Sequence, residues 1–111
     1  MDETPRRSRP VDPSRKARLM ARRRVHVFYS GRVQGVGFRL HAEETARSHG
    51  VVGWVKNLRD GRVELIAEGP EETLERFLSE IRNGPMKNFI VAVELSWSHA
   101  GDAFDEFEIR Y

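Results

Sequence analysis

The sequence predicts an α+β two-layer sandwich, with helices packed against a single sheet. Three observations predict it. Apolar and polar residues alternate in short runs at 25–30, 51–58, 62–68, 89–97 and 104–110, the period of strands. Segments 38–49 and 70–83 instead repeat their apolar residues at helical spacing. Neither helix is apolar all round, so each needs a sheet face to cover its stripe.

The elements follow in order. In the first strand Val25, Val27 and Tyr29 alternate with His26, Phe28 and Ser30. Residues 38–49 lack Gly and Pro and carry a weak stripe of Phe38, Ala42, Thr45, Ala46 and His49, with Gly50 as the expected stop. Residues 51–58 and 62–68 form two strands around the hairpin signal Asp60-Gly61, with Val63, Leu65 and Ala67 on one face. Pro70 opens the second helix, and Glu71 and Glu72 complement its dipole. Leu74, Phe77, Leu78 and Ile81 draw its apolar stripe, and Asn83-Gly84-Pro85 ends it. Val91, Val93, Leu95 and Trp97 alternate along a fourth strand, and Phe107 and Ile109 mark a short last one. The order β-α-β-β-α-β is ferredoxin-like, with an antiparallel sheet and one additional C-terminal strand.

A chain of 111 residues holds one domain and a tail. Residues 1–24 carry nine basic and three acidic side chains among three prolines, the composition of a disordered basic tail. Met20 also stands where translation could begin. Residues 25–111 carry ten basic and fourteen acidic side chains, so the patterned domain is net acidic and the formal charge of +2 describes the tail. That balance argues against nucleic acid as a partner. There is no cysteine, hence no disulfide or thiolate metal site. No apolar run reaches the ~18–20 residues of a membrane span, and no secretory signal is visible. The expectation is a cytoplasmic protein, monomeric by default.

The stretch Ser30-Gly31-Arg32-Val33-Gln34-Gly35-Val36-Gly37-Phe38-Arg39 joins the first strand to the first helix. Helix-start N–H groups lack partners and sit at the positive end of the dipole. Glycines let such a loop curl until several N–H groups converge. Arg39 adds a planar fork of donors that matches a phosphate. No Gly-Lys-Ser/Thr follows, and the dinucleotide pattern Gly-x-Gly-x-x-Gly is absent. The reading is an oxyanion cradle of phosphate size.

With this loop, the sequence carries Gly53-Trp54-Val55-Lys56-Asn57, Asp60-Gly61, Gly69-Pro70, Gly84-Pro85 and Phe107-Glu108-Ile109-Arg110. In these motifs residues 24–111 resemble the acylphosphatase family. The resemblance implies hydrolysis of the carboxyl–phosphate bond of a small acyl phosphate, without metal or other cofactor. It implies that the backbone amides of Val33, Gln34, Gly35, Val36, Gly37 and Phe38 bind the substrate phosphate together with Arg39. It also implies that Asn57 orients the attacking water. Such a sparse site suits the chemistry, because a carboxylate with a pKa near ~4 leaves without a proton. A shallow site of this kind is expected to discriminate poorly among acyl groups. Leu40, His41, His49 and the apolar run 86–92 depart from the family pattern.

Two other classes fit the fold. An RNA-recognition sheet would display stacking aromatics on its central strands, where only Phe28 stands. A non-catalytic anion sensor would use the cradle without needing Asn57. The scattered His26, His41, His49 and His99 show no ligand spacing.

Overall fold

The computed structural model describes residues 13–111. Its elements are α1 (Pro13–Met20), β1 (Arg22–Gly31), α2 (Phe38–His49), β2 (Val52–Asn57), β3 (Val63–Pro70), α3 (Glu71–Asn83), a 3₁₀ turn (Lys87–Phe89), β4 (Ile90–His99) and β5 (Phe107–Arg110). The strands lie in the order β4-β1-β3-β2-β5. The first four pair antiparallel, with Val27 opposite both Leu65 and Leu95.

The alternation along the strands decides which face is buried. Val25, Val27, Tyr29, Val55, Val63, Leu65 and Ala67 form one continuous core with Phe38, Ala42 and Ala46 of α2 and Leu74, Phe77 and Ile81 of α3. Gly50 closes α2 in the left-handed region, its N–H reaching the carbonyls of Ala46 and Arg47. His49 is not stranded at the end of this helix: its Nε2 meets the Glu80 carboxylate on α3. The apolar run 86–92 divides. Met86 and Ile90 pack against the core, while Val91 on the outer strand is 81% exposed.

Two expectations are corrected. The basic segment is not a disordered tail up to residue 24, since α1 occupies Pro13–Met20 and β1 already begins at Arg22. The reason is pairing: Arg22, Arg23 and Arg24 reach Asp102, Glu71 and Glu68 at 2.9, 2.7 and 2.6 Å. Residues 1–12 of that segment lie outside the described residues. The sheet is also not wholly antiparallel, because β5 runs parallel to β2, with Val55 opposite Ile109. A long connection from β4 at the far edge delivers it there. Glu68 pins that connection: fully buried, it accepts from Arg24 Nε and from the N–H groups of Gly101 and Asp102 at 2.9 and 3.0 Å.

Candidate active site

The loop after β1 curls because Gly35 and Gly37 take φ values of 78° and 84°. A Cβ at either position would meet nothing within 4 Å, so conformation rather than crowding requires glycine there. Gly37 is also the residue that starts α2, and its carbonyl accepts from the His41 N–H at 3.0 Å. Among the described residues, no N–H of residues 33–38 donates to a protein acceptor. Val33 and Phe38 are buried, and Phe38 packs on Tyr29 with ring centroids 4.8 Å apart, which anchors both ends of the turn.

The loop faces the β2–β3 hairpin. Leu58 and Arg62 close that hairpin through a backbone bond of 2.8 Å, and Asp60 accepts from the Arg62 N–H and Nε. Those bonds from Arg62, backbone first, hold the Asp60 carboxyl below its usual range. Asn57 ends β2 immediately before the turn. It shares a face with buried Val55, two residues earlier on the same strand, and therefore looks toward the helix layer.

A hollow of about 300 Å³ opens where loop, hairpin and last strand meet. Val33, Gly35, Gly37, Phe38, Arg39 and Asn57 line it, joined by Leu40, Ile109 and Tyr111. Gln34 and Val36 do not. The Gln34 amide instead turns to the hairpin, donating to the carbonyls of Leu58 and Arg62 at 2.7 and 2.9 Å, and Val36 packs against the core. Thus Gln34 ties the loop to the hairpin through its side chain, a role that sequence spacing does not announce.

Arg39 makes no ion pair with any described residue; its guanidinium lies over the Tyr111 ring, 4.8 Å from the centroid. The Asn57 Oδ1 is buried without a hydrogen-bond partner. A cation without a carboxylate and a buried carbonyl without a donor, in one hollow, are suited to an anion and a water molecule. Trp54 is not part of this site, because it lies between Lys56 and Arg110 on the opposite face. His26 pairs with Glu64 at 2.6 Å, far from the hollow. Among the described residues no group of His, Asp and Glu converges as metal ligands. A second groove of about 340 Å³ runs between α3 and β4 over Leu78, Val93, Leu95 and Trp97, without convergent donors.

The acylphosphatase family model matches residues 25–109. The chain is 45% identical over 86 residues to an acylphosphatase of Bacillus velezensis, covering 78% of this chain and 96% of that one. It is 44% identical over 88 residues to one from Salinibacter ruber, covering 79% and 93% of the two chains. The crystal structure of acylphosphatase from Bacillus subtilis superposes with a TM-score of 0.75 at 37% identity, covering 80% of this chain and 99% of that one. This chain belongs to the acylphosphatase family of hydrolases.

Proposed function

We propose that the hollow hydrolyses acyl phosphates, with Arg39 and the N–H groups of residues 33–38 gripping the phosphoryl oxygens and Asn57 orienting the water. The observation that carries this reading is the meeting of an unpaired guanidinium with a buried, unpartnered Asn57 Oδ1 in one hollow. Anion sensing alone has no use for the second of these groups.

The water donates one hydrogen to Asn57 Oδ1, which aims its lone pair at phosphorus. As the new O–P bond forms, the bond from phosphorus to the acyl oxygen breaks, and its electron pair leaves on the carboxylate. The water's other proton passes to a phosphoryl oxygen, so the products are a carboxylate and inorganic phosphate. Charge in the loose transition state spreads over the equatorial oxygens, where fixed N–H groups and one guanidinium stabilise it. The carboxylate is a weak base and needs no general acid. The alkoxide of a phosphomonoester is a far poorer leaving group, so such esters turn over much more slowly.

Turnover of benzoyl phosphate by two variants tests the assignment. Arg39→Ala removes charge-assisted bonds worth about 1.5–3 kcal/mol each and should abolish measurable hydrolysis and inhibition by inorganic phosphate. Asn57→Ala should lower kcat roughly 10²–10³-fold while the inhibition constant of phosphate stays within a few-fold. Wild-type kcat in Asn57→Ala refutes the water-orienting role.

A further inference from the structure

The hollow is larger than its proposed phosphate. Its volume of about 300 Å³ corresponds to about ten waters in the liquid, whereas a phosphoryl group and one attacking water fill only part of it. The remainder is bounded by carbon. Leu40 directly follows Arg39 in the first turn of α2, and Ile109 and Tyr111 come from the last strand. Because Val55 lies opposite Ile109 and Lys56 opposite Arg110 in parallel register, Tyr111 comes next to Asn57 and shares its face.

We propose that Leu40, Ile109 and Tyr111 form an acyl-group subsite that favours acyl phosphates with aromatic or bulky apolar acyl groups over acetyl phosphate. The inference rests on the hydrolase reading above and specifies its substrate class. Leu40 is 53% and Tyr111 96% exposed, which leaves large apolar surface facing water beside the anion cradle. Tyr111 is not loosely displayed, because its ring lies against the guanidinium proposed to grip the phosphate. The acyl group of a bound substrate extends from the phosphate past this same guanidinium. A phenyl or branched alkyl group there removes its own apolar surface and that of the rim from water. A methyl group covers little of it. The aliphatic side chains of Leu40 and Ile109 present no hydrogen-bonding group to a polar acyl substituent such as carbamoyl. This selectivity departs from the poor discrimination expected of a shallow site.

The test compares kcat/KM for benzoyl phosphate and acetyl phosphate in the full chain, in Leu40→Ala and in Tyr111→Ala. The benzoyl-to-acetyl ratio of each variant, divided by that of the wild type, cancels the difference between the two leaving acids. Losing half of an apolar wall should reduce that ratio about fivefold or more, within the range that pocket contacts supply. Inhibition by inorganic phosphate should change less than twofold in Leu40→Ala. Both substitutions are at exposed positions, and either one carries the test if the other fails to fold. Ratios within twofold of wild type in the folded variants, with both substrates turned over, overturn the subsite and leave the hydrolase reading intact. If the wild type hydrolyses neither compound, the hydrolase reading itself fails, and the subsite with it.

Discussion

Gln34 is the most informative residue to perturb, because its side chain alone joins the phosphate loop to the hairpin bearing Asn57. Its amide nitrogen donates to two backbone carbonyls, Leu58 at 2.7 Å and Arg62 at 2.9 Å. Each bond contributes about 0.5–1.5 kcal/mol net, so Gln34→Ala should lose about 1–3 kcal/mol of stability. The two carbonyls keep their hairpin partners, Gly61 N–H and Leu58 N–H, which places the loss toward the lower end. Gln34→Glu has nearly the same shape but sets a carboxylate oxygen against two carbonyl oxygens. It should be less stable than Gln34→Ala at neutral pH, despite retaining more atoms. Urea unfolding reads the loss as a lower midpoint at unchanged slope. Turnover reads the second effect: a loop displaced by about 1 Å from the hairpin costs on the order of 10²-fold in kcat. A Gln34→Glu protein that unfolds and turns over like wild type refutes the claim that these two bonds set the geometry of the site.

Gly53 faces the backbone of β3, and a Cβ there would lie 1.9 Å from the Ile66 carbonyl oxygen, at a φ of 141°. Gly53→Ala should therefore cost about 3 kcal/mol or more, and a urea midpoint within error of wild type contradicts that pairing. Burial raises the pKa of Glu68, but the Gly101 N–H, Arg24 and the Asp102 N–H outweigh it and hold the carboxyl below its usual range. Its stabilising contribution is then complete above the unfolded pKa of about 4.3 and fades as pH falls through the lower folded value. The stability gap between wild type and Glu68→Gln should be full at pH 6 and shrink below about pH 4, in urea melts across that range. A gap that widens toward acid reverses the sign and refutes this account.

Much of the fold is legible in local chemistry. Gly37 and Gly50 bracket α2, Asp60-Gly61 marks the hairpin, and the alternation of Val25, Val27 and Tyr29 gives the buried face of β1 directly. What escapes is whatever depends on partners distant in sequence. The arginines at 22–24 read as part of a solvated tail because their carboxylates lie some fifty to eighty residues away, at 71, 68 and 102. The parallel pairing of β5 escapes for the same reason, since strand direction is set by where the 100–106 connection crosses the molecule. In the site, glycine spacing and chain position suffice to nominate the loop, Arg39 and Asn57. They do not reveal that Gln34 faces away from the hollow, nor that Leu40 and Tyr111 flank Arg39. Those facts belong to side-chain direction, which the one-dimensional pattern does not carry.

β4 closes the sheet on one side with ten residues, of which Glu94 is the only acidic one and none is lysine, arginine or proline. Its outward ladder groups are free to pair, and Val91 and Leu95 stand open to water beside them. Sheets usually blunt such a border with charge, kinks or a covering segment. Here a folded molecule presents a template for strand addition without first unfolding. Concentrated solutions are therefore exposed to growth through native copies, and a lysine at Val91 is the smallest change that would guard the border.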